Sequence, residues 1–425
     1  MRIIIIGGGF GGLKLARSLS NKDGFDVLLI DKFNYHQFQP LFYQVATASL
    51  DASNISFPLR KVFHKSHNVN FRMAEVKEIV SAQNKLITSI GEEVYDVLVI
   101  ATGADTNFFG NQNLIDYAFP MKSVVEALQI RHRLIQNFED ALTAKDQNDE
   151  KQLARLLTIV IVGGGPTGVE MSGAIADLKR FVLPKDYPEL DFSKMKIYLL
   201  EGSDRTLASM SNKSSQQSFD YLKRLNVNVI THTVVKDYDG QKVSMQNGEI
   251  IETGLVIWAA GIKGNVPTGI NPELVVRGNR IKVDRYNKVQ GFDNIFAVGD
   301  VAYMETPAYP HGHPQVASVP IAQAKVLAQN LHNLQMKKAL VEFEYHDKGS
   351  MATIGRNLAV VDIPKPRLHF GGFFAWMIWM GLHLMLLLGV KNRFSVFSNW
   401  LYNYITYDQN LRLIFKEFYR PVKKQ

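Results

Sequence analysis

Arg2-Ile3-Ile4-Ile5-Ile6-Gly7-Gly8-Gly9-Phe10-Gly11-Gly12 decides the fold of this chain. An apolar run suited to one buried strand ends in a G-x-G-x-x-G turn that opens a helix. The first glycine permits the tight turn, the second lets a pyrophosphate approach the backbone, and the third lets helix pack on strand. The helix N-terminus then offers N–H groups and the positive end of its dipole to phosphates. The pattern recurs at Thr158-Ile159-Val160-Ile161-Val162-Gly163-Gly164-Gly165-Pro166-Thr167-Gly168. Each turn is followed by a strand that ends in an acid, Asp26-Val27-Leu28-Leu29-Ile30-Asp31 and then Ile197-Tyr198-Leu199-Leu200-Glu201. Such an acid accepts hydrogen bonds from a ribose. Asp31 follows its turn at close to the ~20-residue spacing of dinucleotide folds. Glu201 follows later, so the second unit carries an insertion, placed between Arg180 and Lys194. A carboxylate at Glu201 repels a 2′-phosphate and favours NAD(H) over NADP(H), with Arg205 nearby as a counterweight. Two such units in one chain imply two dinucleotides and electron transfer between them.

The 425 residues are 46% hydrophobic, enough for two or three domains with cores of their own. There is no cysteine. Enzymes that relay electrons through a redox thiol need one, and metal–sulfur clusters need several, so both classes are excluded. Electrons must then pass directly from a flavin to an external acceptor. Ile3 to Ile6 is too short for a secretory apolar segment and is needed as the first strand. The net charge of +8 suits attraction to an anionic lipid surface. No motif supports nucleic-acid binding. His311-Gly312-His313 has no carboxylate or cysteine spacing around it that would make a metal site, and no metal is expected.

Tyr95 to Ile100 reads as a strand leading into the small residues Ala101-Thr102-Gly103, and Leu255-Val256-Ile257-Trp258-Ala259-Ala260-Gly261 echoes it. The charged run Glu139 to Gln152 reads as a solvated helix pair or a connection, without chemistry. Asn294-Ile295-Phe296-Ala297-Val298-Gly299-Asp300 is an apolar strand delivering an Asp to a ribityl or phosphate group, followed by a helix from about Val316 to Leu334. Placing Asp300 with the first unit makes that domain discontinuous. The expected fold is α/β. It has two Rossmann-like domains: an FAD-binding one over residues 1–110 and 265–345, and an NADH-binding one over 111–264 inserted in it. A C-terminal helical, membrane-anchoring region follows over 346–425. Phe370 to Val390 carries no charged side chain and is long enough to span a membrane, but its glycines and His383 also fit a surface helix. In the tail, Leu411, Ile414, Phe415 and Phe418 fall on one helical face and Arg412, Lys416 and Arg420 on the other, as in a helix lying at a membrane interface. Docking on the protein's own core or on a dimer partner is the alternative.

These residues resemble the type II NADH dehydrogenases, single-subunit NADH:quinone oxidoreductases of respiratory membranes. The resemblance runs over essentially the whole chain. It is carried by the two glycine turns, Tyr35-His36-Gln37-Phe38-Gln39-Pro40-Leu41-Phe42-Tyr43-Gln44-Val45-Ala46, Trp258 to Gly261, Phe296 to Asp300, Lys348 to Arg356 and Ala375 to Trp379. The segments after Tyr35 and Lys348 are the most specific. The resemblance implies hydride transfer from NADH to FAD and two electrons passed on to a membrane quinone, menaquinone or ubiquinone, without proton pumping. It implies a homodimer held peripherally, as a monotopic protein, on the cytoplasmic face of the cell membrane. It places FAD on Gly7, Gly8, Gly9, Phe10, Gly11, Gly12, Asp31, Lys32, Val76, Thr102, Asp300, Ala317 and Ser318. His36 and Gln44 read as flavin-proximal polar residues, with hydrogen bonding within their loop as the alternative. It places NADH on Gly163, Gly165, Gly168, Glu201, Ala260 and Gly261. Glu170 matches a carboxylate near flavin and nicotinamide that serves proton transfer or substrate positioning, and Lys348 a position near the flavin and quinone pocket. One departure stands out. The family's A-Q-x-A-x-Q-Q pattern is here Ala317-Ser318-Val319-Pro320-Ile321-Ala322-Gln323, where only Ala317 and Gln323 agree. Ser318 is too short to replace a glutamine that reaches a quinone carbonyl, while Pro320 is tolerated if it lies in the first helical turn. A soluble ferredoxin reductase uses the same two units but leaves the C-terminus unexplained. A membrane-tethered NADH-binding flavoprotein with a non-catalytic role is the other alternative.

Overall fold

The structure is a computed structural model that describes residues 1–409 and 411–415. It divides into two compact units. One comprises Met1–Gln37, Ser56–Asn107 and Ile262–Lys348; the other comprises Phe38–Ile55, Phe108–Gly261 and the described residues from Gly349 onward.

In the first unit, Val69–Met73, Asp26–Asp31, Arg2–Ile6, Val97–Ile100 and Ile295–Ala297 form one parallel sheet in that order. Ile3, Ile4 and Ile5 are fully buried, which is why these strands are continuous apolar runs and do not alternate. The strand Ile295–Ala297 joins this sheet from far along the sequence by pairing with Val97–Ile100. The helix Phe10–Leu19 packs against the helix Ser318–Gln335. Pro320 is therefore the third residue of its helix, inside the first turn, where its missing N–H has no partner to lose.

In the second unit, Phe119–Pro120, Leu255–Trp258, Thr158–Val162, Lys196–Leu200 and Val227–Ile230 form a second parallel sheet. The charged run is a helix pair, Val124–Asp146 and Glu150–Leu156, the first opened by a capping box between Ser123 and Glu126. The insertion before the second acid is a helical extension: a π-helical turn at Leu178–Val182, the short helix Leu183–Asp186, and a loop anchored by buried Phe192. The C-terminal part begins with an antiparallel sheet of Ser350–Thr353, Ala359–Ile363 and Leu368–Gly371.

The apolar run Phe370 to Val390 is split. It ends a strand, forms the helix Gly372–Leu386, and breaks at Gly389, whose φ is +81°. Fifteen residues rise about 22 Å, short of the ~30 Å of a bilayer core. No helix among the described residues is long and apolar enough to cross a membrane. Ala375, Trp379 and His383, four residues apart, bury one stripe of this helix. Phe374 and Met385 are more than 60% exposed, as are Val390, Phe394 and Ile405 on the next helix, Val390–Thr406. The expected tail helix is not formed where it can be seen. Leu411–Phe415 is a turn followed by irregular chain. The guanidinium of Arg412 does not join a basic stripe there; it pairs with Asp186 at 3.0 Å and Asp408 at 3.2 Å. Lys416, Phe418 and Arg420 lie outside the described residues.

The two glycine turns set a sharp steric requirement. A Cβ on Gly12 would lie 1.9 Å from the Gly7 carbonyl oxygen, and one on Gly168 1.9 Å from that of Gly163, whereas Gly9 and Gly165 have nothing within 4 Å. Gly12→Ala and Gly168→Ala are expected to lose about 1–3 kcal/mol of stability. Gly9→Ala and Gly165→Ala are expected to stay within about 0.5 kcal/mol of the parent. Denaturant unfolding of the four variants checks this ordering.

Candidate functional site

The first turn is held from several sides. Gly7 adopts a φ of +103°, and a Cβ there would lie 2.3 Å from the Ala101 carbonyl oxygen. Asp31 accepts the Gly8 N–H at 2.6 Å on one oxygen and the Phe33 N–H at 2.7 Å on the other. Burial pushes the Asp31 carboxyl above its ordinary value, while those two N–H groups and Lys32 pull it back. His36 donates from Nδ1 to the Gly8 carbonyl at 3.0 Å and meets Phe10 edge-on at 5.3 Å. Burial lowers the His36 pKa, so the ring is a neutral brace. Lys32 is exposed, its ammonium 5.3 Å from the Phe33 ring centre. Val76 packs on the core of the first unit.

The residues that follow the other two strands of this sheet lie in turns. Thr102 donates its hydroxyl to the Asn265 carbonyl at 2.5 Å. Asp300 lies in the turn Gly299–Val301, which Gln323 fastens by accepting the Gly299 N–H at 2.7 Å. Ala317 caps the helix whose Pro320 side chain closes on this turn: Cβ atoms built on Gly11 and Gly299 would lie 3.2 and 3.0 Å from it. The Ser318 hydroxyl is bonded to the Tyr345 hydroxyl at 2.8 Å. Of the three departing positions, Ser318 and Pro320 thus have structural partners within the unit, and Ala322 packs on its core.

The second turn repeats the first. Gly163 has a φ of +110° and lies under the Ala259 carbonyl as Gly7 lies under that of Ala101. Glu201 accepts the Gly164 N–H on one oxygen and the Ser203 N–H, at 2.7 Å, on the other. Arg205 is turned to Asn212 and the Ala208 carbonyl. Ala260 and Gly261 follow the strand Leu255–Trp258. The open space at Gly9 and Gly165, at the N-termini of the two helices, fits a phosphate approaching the backbone.

A third feature lies wholly within the second unit. Glu170, the fifth residue of the helix Pro166–Asp177, is only 8% exposed. Burial pushes the Glu170 carboxyl up to about 8, against the pull of the Thr353 N–H and the Trp379 side chain. The Thr353 N–H reaches it at 3.4 Å. The Thr353 hydroxyl meets the Tyr43 hydroxyl at 3.1 Å, and Tyr43 accepts the Gln44 amide N–H at 2.8 Å. Gln44 in turn accepts the Trp400 indole N–H at 2.7 Å. Gln44, expected beside the flavin, has both ends of its amide in this chain. Tyr43, Gln44, Thr353, Asp177, Trp379 and Trp400 help line a chamber of about 140 Å³. Arg356 also lines it, its guanidinium over the rings of Tyr404 and Tyr407 at 4.1 and 3.7 Å. Lys348 is exposed at the end of the first unit, before Gly349 with its φ of +103°.

Of these chamber residues, sequence reasoning singled out only Gln44. Tyr43, Thr353 and Arg356 fall in the two most specific stretches of the resemblance, without an assigned role. Asp177 repeats Glu170 after two helical turns, a periodicity that could have found it.

Glu170 takes up a proton on folding, because its carboxyl rises from an ordinary value of 4.5 to about 8. The associated stability is fully present below about pH 4.5 and is lost as pH rises to about 8. Relative to Glu170→Gln, the parent protein should lose thermal stability across that interval. Melting temperatures of both at pH 5 and pH 8 check it; equal slopes would contradict the assignment.

The pyridine nucleotide-disulphide oxidoreductase family matches residues 1–325, and the NDH2 C-terminal domain matches residues 347–406. The chain is 34% identical to the type II NADH:quinone oxidoreductase Ndh of Mycobacterium tuberculosis, over 95% of this chain and 88% of that protein. It is 28% identical to the type II NADH:quinone oxidoreductase of Haemophilus influenzae, over 90% of this chain and 92% of that one. A solved structure of NDH2 from Plasmodium falciparum in complex with NADH shares the fold, with a TM-score of 0.87, 24% identity and coverage of 98% and 99%. With its two glycine-turn cradles followed by that C-terminal domain, the chain belongs to the type II NADH:quinone oxidoreductases.

Proposed function

We propose that this protein carries reducing equivalents from NADH through FAD to a membrane quinone, without pumping protons. The observation that carries the reading is the duplicated cradle: in each unit a strand-end carboxylate grips the middle glycine of a turn whose helix N-terminus is open. The residues of the first unit that suit FAD are Gly7 to Gly12, Asp31, Lys32, Val76, Thr102, Asp300, Ala317 and Ser318. Those that suit NADH are Gly163, Gly165, Gly168, Glu201, Ala260 and Gly261. When bound, FAD supplies the two-electron redox chemistry, and the protein supplies binding, orientation and charge. With no cysteine in the chain, no thiol relay is available between donor and acceptor.

The chamber in the second unit suits a quinone head group. Trp376, Trp379, Trp400 and Tyr404 give it flat aromatic walls, and Tyr43 and Asp177 give it polar contacts. Trp376 and Tyr404 lie on the same two helices that expose Phe374, Phe394 and Ile405 on other faces. An apolar tail could therefore follow those faces into lipid. The same exposed faces and the net charge of +8 support peripheral, monotopic attachment to an anionic cytoplasmic membrane surface. The homodimer is supported by the family resemblance. Glu170, held protonated near neutral pH by its burial, is suited to keep a proton behind Thr353, which lines the chamber. Lys348, near the flavin, is the second residue that this reading assigns to proton transfer.

Anaerobic stopped-flow spectroscopy tests this reading. NADH should bleach the visible flavin band of the purified protein, and a menaquinone or ubiquinone analogue should restore it. Protein that stays colourless after incubation with FAD, or a bleached band that quinone leaves unchanged, contradicts it.

A further inference from the structure

Reduction of a quinone by NADH draws one proton from solution: NADH, a proton and quinone give NAD⁺ and quinol. The hydride accounts for both electrons and for one of the two hydrogens gained by the quinone oxygens. The second hydrogen needs a donor in contact with both the quinone and solvent. Glu170 is poorly placed for that exchange, since it is 8% exposed and Thr353 and Tyr43 stand between it and the chamber.

A second carboxyl is better placed. Asp177 lies seven residues beyond Glu170 on the same helix, two turns or about 10.5 Å along the axis, and so on the same face. It lines the chamber directly and is only partly covered. The Tyr43 hydroxyl feels the charge of Glu170 and, more weakly, of Asp177. Several charged or titratable groups face Asp177. Arg180 follows on its own helix, Arg356 comes from the turn after Thr353, and Tyr43 from the short helix Phe42–Ala46. Tyr404 belongs to the helix Val390–Thr406, and Tyr407 and Asp408 to the segment after it. The Arg356 N–H donates to Asp177 at 2.8 Å, while the Arg356 guanidinium is drawn off over Tyr404 and Tyr407 and donates to main-chain carbonyls of the helix end. Burial outweighs that N–H and both arginines and pushes the Asp177 carboxyl up to about 6.

We propose that Asp177 is the general acid that delivers the solvent-derived proton to the quinone oxygen at its end of the chamber, an assignment that rests on the quinone-reductase reading above. The Asp177 O–H bond breaks as the quinone O–H bond forms, the two electrons come from NADH through bound FAD, and the carboxylate left behind is reprotonated from solution. Because the acid form is lost above its pKa, quinone reduction should slow as pH rises through about 6.

The test compares two acceptors in the FAD-loaded, full-length enzyme: a soluble quinone, which needs protons, and ferricyanide, which takes single electrons and none. Asp177→Asn keeps an oxygen for the Arg356 N–H. It should lower quinone reduction about 100-fold at pH 6 and leave ferricyanide reduction within about twofold. The pH limb near 6 should vanish in Asp177→Asn and return in Asp177→Glu. An Asp177→Asn enzyme with an unchanged quinone rate and pH profile would overturn the proposal. So would one slowed equally with both acceptors, which marks a structural role. A parent enzyme that reduces ferricyanide but no quinone would instead contradict the quinone-reductase reading, and the proposal with it.

Discussion

A half-buried carboxylate needs hydrogen-bond donors, and a glycine turn at the end of a parallel strand has backbone N–H groups to give. Asp31 and Glu201 meet that need in the same way, each accepting the N–H of the turn's middle glycine and a second N–H two residues beyond itself. The bond ties strand end to turn, and the turn fixes where the next helix begins. The third glycine lets that helix start almost in contact with the carbonyl of the first. At Gly9 and Gly165, the residues that open the two helices, a Cβ would meet no heavy atom within 4 Å. Remove either carboxylate and the turn loses its fastening.

The second unit adds chemistry to this geometry by burying an acid just past its turn. Hydrogen bonding and burial oppose each other at Glu170: the Thr353 N–H and the Trp379 side chain favour the charged form, and the loss of water disfavours it. Burial wins because the strand Ser350–Thr353 covers the site and offers only a long N–H contact to the carboxyl. The C-terminal sheet therefore shapes the protonation state of a residue in the nucleotide-binding segment. The same sheet and its helices also enclose the chamber, so the acid and the candidate quinone pocket share one wall. A chain without cysteine, in a family named for a disulphide, has instead two carboxyls on one helix face.

The turns, their acids and the return of the Asn294 strand to the first sheet were legible in the sequence because each is local: apolar run, glycine spacing, terminal acid. The charged helix pair was legible for the same reason. The chamber was not, because Tyr43, Asp177, Thr353 and Trp400 come from four distant segments, and no periodicity links them. Gln44 read as either a flavin-proximal residue or a loop hydrogen-bonding one, while its partners, Tyr43 and Trp400, follow from tertiary packing. Apolar length at Phe370 to Val390 could not separate a spanning helix from a surface one; the glycine break at Gly389 and the buried stripe at Ala375, Trp379 and His383 do. The amphipathic spacing near Leu411 suggested a helix, but the pairing of Arg412 with Asp186 and Asp408 holds that stretch in another form. Ser318, too short for the family's quinone contact, is bonded to Tyr345 within its own unit.

The central claim is that the two cradles bind two different dinucleotides independently, and binding stoichiometry in single-cradle variants tests it most directly. Titrations of FAD and of NAD⁺ should each saturate at one per chain. Asp31→Ala should weaken FAD binding while leaving NAD⁺ binding near its parent level, and Glu201→Ala should do the reverse. One dinucleotide per chain in the parent protein, or loss of both ligands from either variant in a folded state, would contradict the account.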